Sequence, residues 1–314
     1  MNTLAVVLEE PERLVLSRMA LPEPSDSDVV VDIEWSGIST GTERLLWSGR
    51  MPPFPGLGYP LVPGYESVGR IRFAGAKSGR EEGARVFVPG ARCYGDVRGL
   101  FGGASSRVVV AGEKTIPLRD DLGERGTLLA LAATAYHAVK VAGPVLPDLI
   151  IGHGVLGRLV ARCVVALGGP APTVWETNAD RREGAVGYSV IAPDADDPRR
   201  TYQSICDVSG DSGLLDTLIA RLAPSGLIIL AGFYSDRLSF AFPPAFVREA
   251  RFAIAAEWRP SDLAAVCRLI DTSALDLDGL ITHRAPALEA AHAYRTAFND
   301  PACLKMILDW RSCS

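Results

Sequence analysis

The feature that most constrains the fold is a glycine-rich segment, GHGVLG, at residues 152–157. It has the spacing G-x-G-x-x-G, follows the apolar run DLII, and continues into VLGRLVARCVVAL, where apolar residues recur at helical spacing. Glu176 stands 24 residues after Gly152, at the end of the next apolar run, PTVW. A strand, a glycine turn, a helix and a second strand that ends at an acidic residue form the core of a dinucleotide-binding βαβ unit. The segment therefore predicts a parallel, doubly wound sheet.

The three glycines have separate roles in such a unit. Gly152 permits the tight turn, Gly154 lets backbone amides approach the pyrophosphate, and Gly157 lets the helix pack close to the strand. Glu176 would accept hydrogen bonds from ribose hydroxyls and repel a 2′-phosphate, so we expect NAD as the cofactor in preference to NADP. Because two arginines follow just downstream, in the segment DRRE, NADP remains an alternative cofactor. Glycines that serve packing alone are the simpler alternative.

Composition and charge exclude several classes of protein. A chain of 314 residues with 48% hydrophobic and 22% charged residues is long enough for two domains and is not disordered. The net charge of −5 argues against a nucleic-acid surface. No apolar stretch is long enough to span a bilayer, and the N-terminus MNTLAVVLEE resembles a strand more than a signal peptide. Six cysteines without C-x-x-C spacing indicate reduced thiols in a cytoplasmic protein.

Short alternating apolar runs, separated by clusters of Gly, Pro, Asp and Ser, predict a barrel-like β domain over residues 1–120. The predicted strands are Leu4–Leu8, Leu14–Arg18, Val29–Trp35, Val68–Phe73, Arg85–Val88 and Ser106–Val110. From Leu122 to Gly143 the spacing predicts a helix, and strands then alternate with helices as in a parallel sheet. The last part, from Arg259 to DPACLKMILDW, is predicted to be helical, with an apolar break at Leu280–Thr282.

Several segments spread over the chain resemble the medium-chain dehydrogenase/reductase superfamily. They are WSGISTGTE, LVPGYESVGR, GARVFVPG, GGASSRVVVAGEKTIPL, LAATAYHAV, IIGHGVLG, LIILAGF and LITHRAPALEAAHAYRTAFNDPACLKMILDW. The resemblance covers essentially the whole chain and implies an α/β fold, in which a Rossmann domain is inserted into a β-rich, GroES-like catalytic domain. Residues 1–122 and 260–314 would form the catalytic domain, and residues 123–259 would form the NAD-binding domain.

The chain departs from the zinc-dependent members of that superfamily. Where those members carry three zinc ligands, this chain has Ser39, Tyr65 and Ala130. Glu66 remains, but one carboxylate does not hold Zn²⁺ in a catalytic site. The four-cysteine structural zinc lobe is missing too, because Cys93 stands alone in that region. We therefore expect no metal, and we expect Tyr65 and Glu66 to face the active site.

A closer resemblance lies within the superfamily. The segments STGTERLLWSGRMPPFPGLGYPLVPGYESVG and GLITHRAPALEAAHAYRTAFNDPACLKMILDW are similar to those of the bacteriochlorophyllide a 3-(1-hydroxyethyl) dehydrogenases of phototrophic bacteria. This implies an NAD-dependent alcohol dehydrogenase that oxidises a hydroxyethyl group of a tetrapyrrole to acetyl during bacteriochlorophyll a synthesis. Two alternatives stay open: a zinc-free quinone or enoyl reductase of the same superfamily, and a non-catalytic protein that binds NAD or pigment.

Candidate residues follow from these patterns. Tyr65 ranks first as an acid/base partner, either alone or through a relay to Glu66. Two alternatives remain open: Glu66 could be a structural carboxylate paired with an arginine, and His137 could have only a packing role. An aromatic loop before residue 65 could enclose a flat ring, and Arg44 could bind its propionate. The catalytic candidates are Tyr65, Glu66, Thr40 and His137, followed by Thr42 and Glu43. The cofactor-binding candidates are Gly152, His153, Gly154, Val155, Leu156, Gly157, Glu176, Thr134, Ser209, Gly210, Gly232 and Phe233. The substrate-binding candidates are Trp47, Met51, Phe54, Tyr59 and Arg44.

The expected partners follow from the same resemblance. The substrate would be a tetrapyrrole, and the apolar run FAIAAEW, which should form the last strand of the Rossmann sheet, could pair across a two-fold axis in a homodimer. Association with the surface of the photosynthetic membrane stays open.

Overall fold

The computed structural model describes residues 1–193, 197 and 199–313, which form two compact units. One unit combines Met1–Ala130 with the chain from Leu280 onward, and the other holds Leu131–Gly279. The boundaries predicted from the sequence, after residues 122 and 259, follow the same nested plan but assign residues 123–130 and 260–279 differently. The hydrogen bond of 2.8 Å between His137 and Asp262 explains part of the difference, because it ties the helix that contains Asp262 to the second unit.

Nine strands and one short helix form the N-terminal part of the first unit, and each of the six strands predicted there overlaps one of them. They are β1 (Asn2–Glu10), β2 (Arg13–Ala20), β3 (Asp28–Ile38), α1 (Thr42–Trp47), β4 (Leu61–Val62), β5 (Ser67–Ala74), β6 (Arg85–Val88), β7 (Arg98–Gly99), β8 (Arg107–Ala111) and β9 (Ile116–Pro117). The strand β3 pairs with both β5 and β8, so its apolar residues are buried and it forms the centre of this unit.

The second unit is a parallel sheet covered by helices. Its elements are α2 (Leu129–Val141), β10 (Leu149–Ile151), α3 (Val155–Ala166), β11 (Thr173–Trp175), β12 (Ser189–Ile191), β13 (Tyr202–Asp207), α4 (Leu215–Arg221), β14 (Leu222–Leu230), α5 (Phe242–Val247), β15 (Arg251–Ile254) and α6 (Pro260–Asp271). The strand order is β12-β11-β10-β13-β14-β15, and every neighbouring pair is parallel. This is the order of a doubly wound dinucleotide-binding sheet, which confirms the predicted fold class.

The helix predicted from Leu122 begins later than the spacing suggested. Residues Asp120–Leu128 form 3₁₀ turns, and Gly123 within them has a φ of +51°. An α-helix cannot run through a residue with that backbone conformation, so the predicted helix cannot include Leu122 and Gly123; α2 itself starts at Leu129, after the 3₁₀ turns. Further 3₁₀ turns occupy Gly112–Lys114, Ala179–Arg181 and Ala287–Glu289.

The chain then returns to the first unit as β16 (His283–Pro286), α7 (Ala290–Asn299) and β17 (Met306–Asp309). The expectation that this part is helical is therefore wrong for its two strands. β17 pairs with β3 on one side and with β16 on the other, so its apolar residues are buried without an alternating pattern. Trp310, which follows it, is fully buried and donates a hydrogen bond of 2.8 Å from Nε1 to Ser36 Oγ.

Two sheets complete the first unit. One has the order β2-β1-β4-β7, and the other has the order β16-β17-β3-β5-β6-β9 with β8 also paired to β3. Among the described residues, none of the helices combines the length and the hydrophobicity that crossing a bilayer requires.

Candidate active site

The glycine turn joins β10 to α3 as the sequence predicts. Gly152 has a φ of +100°, a conformation that favours glycine, and Gly154 is the N-cap of α3. A side chain at residue 157 would collide with the carbonyl of Gly152, so this position requires glycine as well. A Cβ on Gly154 would meet no atom within 4 Å, which leaves the backbone there open to approach by a ligand. Val155 and Leu156 begin the helix.

Glu176 directly follows β11 and lies beside the glycine turn. Its carboxylate is nearly buried and accepts hydrogen bonds of 2.8 Å from the backbone N–H groups of His153 and Asn178. The two bonds reach different oxygens, and each oxygen keeps one further acceptor site. The carboxylate is therefore held in place and can still accept hydrogen bonds from ribose hydroxyls.

The side chain of His153 does not line the open side of the turn. It is fully buried, with Nδ1 2.6 Å from the carbonyl of Arg181 and Nε2 2.8 Å from the hydroxyl of Tyr188. Burial lowers the pKa of His153 to about 4, so the ring is neutral near pH 7. Arg158 supports the same loop by donating to the carbonyls of residues 181, 183 and 184. The imidazole thus holds the loop that follows β11. The backbone of His153 is engaged as well, because its N–H donates to Glu176 and its carbonyl accepts a bond from Arg158.

The ends of β13 and β14 bring four more predicted cofactor residues together. Asp207 Oδ1 accepts bonds from the Ser209 amide and hydroxyl, while the Asp207 carbonyl accepts the Gly232 N–H at 3.0 Å. A Cβ on Gly210 would lie 2.9 Å from the carbonyl oxygen of Phe233, and the Phe233 side chain is 53% exposed. These residues lie at the carboxyl ends of parallel strands, where such sheets bind ligands. Thr134, the remaining candidate, is half-buried on α2.

Tyr65 is held by a turn in the first unit. Gly64 has a φ of +95°, and the carbonyls of Pro63 and Gly64 accept hydrogen bonds from the amides of residues 104 and 103. The Tyr65 hydroxyl donates to Ser39 Oγ at 2.8 Å, and its ring packs edge-on against Phe101. Desolvation, followed by the charge of Glu66, raises the pKa of Tyr65 well above its ordinary value, so the phenol stays protonated. The predicted acid/base group therefore has a fixed hydrogen-bond partner, Ser39.

Glu66 lies in a buried ion pair that the sequence analysis did not predict. Its carboxylate contacts the ammonium of Lys305, and the two side chains are 0% and 1% exposed. Lys305 Nζ also donates to the carbonyl of Ile38 at 3.1 Å. Burial raises the pKa of Glu66, and Lys305 opposes that shift. The Tyr65 hydroxyl binds Ser39 and Glu66 binds Lys305, so the relay from Tyr65 to Glu66 is not formed; the pairing partner of Glu66 is a lysine rather than the arginine considered above.

Glu43 is linked more closely to Ser39 than the sequence indicated. Its Oε1 accepts the Ser39 N–H at 3.1 Å, and its Oε2 accepts the Tyr294 hydroxyl at 2.5 Å. The side chain is fully buried, and burial raises its pKa to about 7. Lys305 and Tyr294 come from the C-terminal part of the chain. A lysine within the apolar run CLKMILDW was the one sequence signal for a buried cation that needs an acidic partner.

The side chains at the three zinc-ligand places do not fit a zinc ion. A serine hydroxyl and a tyrosine with a raised pKa replace the thiolate and the imidazole that zinc prefers, and Ala130 offers no donor. Within the described part of the chain, no three His, Cys, Asp or Glu side chains are grouped so that they could hold a metal.

Two other catalytic candidates occupy different surroundings. Thr40 is exposed, next to Ser39 in the chain. His137 belongs to the second unit, where it joins α2 to α6 through its bond to Asp262; that same carboxylate also accepts the Arg259 N–H at 2.9 Å. This arrangement supports the packing role that was the alternative for His137.

The predicted substrate loop is partly a core element. Met51 is buried in a cluster with Leu46, while Trp47 packs on Phe298 with ring centroids 5.6 Å apart. The Tyr59 hydroxyl donates to the carbonyl of Leu46. The side chains of Phe54 and Arg44 are exposed, and of the five candidates these two remain most accessible to a ligand.

Comparison with known proteins gives this geometry a context. Residues 25–120 match the model of the alcohol dehydrogenase GroES-like domain. The chain is 56% identical to the 2-desacetyl-2-hydroxyethyl bacteriochlorophyllide A dehydrogenase of Rhodobacter capsulatus, and 55% identical to that of Cereibacter sphaeroides, over 99% of each chain. Its fold matches that of a short chain alcohol dehydrogenase from Escherichia coli CFT073 complexed with NADH, with a TM-score of 0.84, 20% identity, and 98% and 99% of the two chains covered.

The buried ion pair generates a prediction on stability. Replacing Lys305 with Met strands the Glu66 carboxylate in the core, so we expect Lys305→Met to lower the free energy of unfolding by about 3–5 kcal/mol in urea denaturation at neutral pH. Glu66 has a raised pKa, and its neutral form is favoured once the cation is gone. The loss should therefore shrink as the pH is lowered.

Two variants control this experiment. Lys305→Met combined with Glu66→Leu removes both charges and should recover most of the stability. Lys77→Met breaks an exposed pair with Asp26 and should cost less than about 1 kcal/mol. An equal loss for Lys77→Met and Lys305→Met would contradict the assignment.

Proposed function

The chain belongs to the family of 2-desacetyl-2-hydroxyethyl bacteriochlorophyllide A dehydrogenases, within the medium-chain dehydrogenase superfamily, and on this premise we propose that it oxidises the hydroxyethyl group of a bacteriochlorophyllide a precursor to acetyl. The observation that carries the proposal is the 56% identity that extends over 99% of both chains. A nicotinamide cofactor agrees with the glycine turn and with the doubly wound sheet. The reaction belongs to bacteriochlorophyll biosynthesis.

The cofactor site would be formed by residues of the second unit. The backbone from Gly152 to Gly157 and the N-terminus of α3 would bind the pyrophosphate, and Glu176 would bind the adenosine ribose. When bound, NAD accepts the hydride that leaves the alcohol carbon. We assign NAD rather than NADP because a 2′-phosphate would lie against the Glu176 carboxylate. Arg182 does not offset this repulsion, since its guanidinium donates to the carbonyls of Glu176 and Thr177.

The proton of the alcohol would leave through Tyr65. The phenolic hydrogen is directed at Ser39, and Thr42 is also within hydrogen-bonding reach of the phenol, so one acceptor site of Tyr65 Oη would be left for the O–H of the substrate. As the hydride departs, the alcohol proton would move to Tyr65, the phenolic proton would move to Ser39 Oγ, and the serine proton would pass to solvent water at the next residue, the exposed Thr40. Because its pKa is raised, Tyr65 is protonated, which favours this relay over direct removal of the alcohol proton by a phenolate. This route needs no zinc.

Part of the substrate site would lie at the surface of the first unit. Phe54 and Arg44 are exposed on the segment between β3 and β4. An aromatic ring and a guanidinium suit the flat apolar macrocycle and the propionate carboxylate of a tetrapyrrole.

A homodimer would cover an apolar surface on the second unit. β15 is one of the two edge strands of the parallel sheet, and apolar side chains around it are exposed: Phe240, Phe242, Phe246, Val247, Phe252 and Ile254. An edge strand with exposed apolar side chains pairs readily with another strand. The occupant that fits is the same strand of a second copy.

The first test of the proposed function is an absorbance assay. Metal-stripped protein is mixed with NAD and 3-hydroxyethyl bacteriochlorophyllide a, and we expect the long-wavelength band of the pigment to shift while NADH forms in equal amount. No change, even after zinc is restored and NADP is supplied, would contradict the proposal. Tyr65→Phe should lower kcat by about 10²–10⁴-fold, because the relay loses its first acceptor. Tyr136→Phe, which removes a hydroxyl from α2 in the other unit, should retain the activity of the wild type.

The preference for NAD is tested at Glu176. We expect Glu176→Ala to lower kcat/KM for NAD by about 10–100-fold, because two hydrogen bonds to a charged group are lost, and to reduce the discrimination against NADP. Asp180→Asn changes an exposed carboxylate nearby and should leave the ratio of the two kcat/KM values unchanged. A wild type that uses NADP better than NAD would overturn the assignment.

The homodimer is tested by mass in solution. Light scattering on the wild type should give twice the chain mass of 33.5 kDa. Ile254→Lys should shift the protein towards the monomer, because it places a charge on the paired edge. Leu288→Lys, an exposed apolar position in the other unit, should remain dimeric. A monomeric wild type would refute the proposed dimer.

A further inference from the structure

The buried carboxylate of Glu43 is hydrogen-bonded to Ser39, the residue that accepts the hydrogen bond from Tyr65. Glu43 Oε1 accepts the backbone N–H of Ser39 at 3.1 Å, and the backbone N–H of Glu43 donates to the Ser39 carbonyl at 3.1 Å. These reciprocal bonds close a small loop around residues 39–43 and fix the backbone of Ser39. Because Ser39 Oγ accepts the Tyr65 hydroxyl, the position of this acceptor depends on Glu43.

The bonding of Glu43 depends on its charge. Ser39 N–H and the Tyr294 hydroxyl both donate to the carboxylate, and an anionic carboxylate accepts both bonds. A protonated carboxyl carries a hydrogen of its own on one oxygen. On Oε2 this hydrogen would be donated to the Tyr294 hydroxyl, which can also accept, and on Oε1 it would displace the Ser39 N–H. In both cases the bond from the Ser39 N–H loses the negative charge that strengthens it. Ionisation of Glu43 therefore changes the restraint on Ser39.

The charges around Glu43 do not balance when every group is ionised. Glu66 repels its anionic form, Lys305 attracts it, and the hydrogen bonds from Tyr294 and Ser39 favour it. Tyr65, which also faces the cluster, is neutral. One ammonium thus serves two fully buried carboxylates, and Lys305 is in direct contact with Glu66. Burial prevails for Glu43, whose pKa is raised to about 7.

We infer that Glu43 is a positioning residue, whose ionisation places Ser39 against Tyr65 and thereby controls the alcohol oxidation near neutral pH. The inference rests on the proposed function, because it takes the Tyr65–Ser39 pair as the proton relay. With the anionic form active, kcat/KM rises as the pH rises through the ionisation of Glu43. A kcat/KM that falls as the pH rises through this ionisation would contradict the inference.

The first experiment observes Tyr65 directly and does not depend on turnover. In protein labelled with ¹³C at the tyrosine Cζ, the Tyr65 resonance is assigned by its loss in Tyr65→Phe. We expect it to titrate with a midpoint near pH 7 in the wild type and to show no such step in Glu43→Gln. Glutamine has the same shape and does not ionise in this range. A Tyr65 resonance that is constant with pH in the wild type, or that titrates equally in Glu43→Gln, would overturn the inference.

A second variant keeps the test decisive if Glu43→Gln folds poorly. Tyr294→Phe removes a hydrogen bond that favours the anion, so the midpoint of the Tyr65 titration should move to higher pH. An unchanged midpoint, or one that moves to lower pH, would contradict the inference. His137→Gln removes a buried titratable side chain from the second unit and should leave the titration as it is.

The second experiment measures the pH dependence of kcat/KM for the pigment alcohol. The step near pH 7 should be absent in Glu43→Gln and moved to higher pH in Tyr294→Phe. A wild-type step that survives unchanged in Glu43→Gln would refute the positioning role, even if Tyr65 senses the ionisation. A wild type without any oxidation would refute the proposed function instead, while the resonance of Tyr65 would still show whether Glu43 controls the pair.

Discussion

Much of the first unit depends on one buried ammonium group. Lys305 compensates the carboxylate of Glu66 and donates to the carbonyl of Ile38, the last residue of β3. A buried carboxylate without a partner is costly, so these contacts constrain both the register of β17 and the turn that holds Tyr65. Ser39 follows Ile38 directly. The acceptor of the Tyr65 hydroxyl is therefore fixed by the same contacts that hold the sheet together.

This arrangement explains how the fold of zinc-dependent relatives can be kept with different side chains. A metal ion and a hydrogen-bonded pair of hydroxyls can serve the same chemical purpose. Each can reduce the negative charge that develops on an alcohol oxygen as its proton leaves. In the proposed mechanism, the hydrogen-bonded Ser39 and Tyr65 would serve as such a pair, and Ala130 has no polar side chain at the third place. The surrounding carboxylates then need other partners, and the C-terminal part of the chain supplies them in Lys305 and Tyr294.

Local sequence was a sufficient guide where local backbone constraints decide the structure. The glycine turn follows from Gly152 and Gly157, because no other residue fits there. The C-terminal strand β17 was missed because its apolar run is buried on both sides, and such a run does not differ from a helix in its spacing. The partners of Glu43 and Glu66 could not be predicted for another reason. The bond from Tyr294 to Glu43 spans 251 residues, and spacing along a chain carries no information about such contacts.

That separation has a consequence for the order in which the protein is assembled. A chain leaving the ribosome exposes Glu43 and Glu66 early, but Tyr294 and Lys305 emerge only after the whole of the second unit has been made. Until then the N-terminal strands lack both β17 and the cation that permits Glu66 to be buried. The second unit, which is continuous in sequence, has no such delay. Synthesis of the inserted unit thus separates the two halves of the first one in time, and the side chains that hold the candidate proton relay in place are added last.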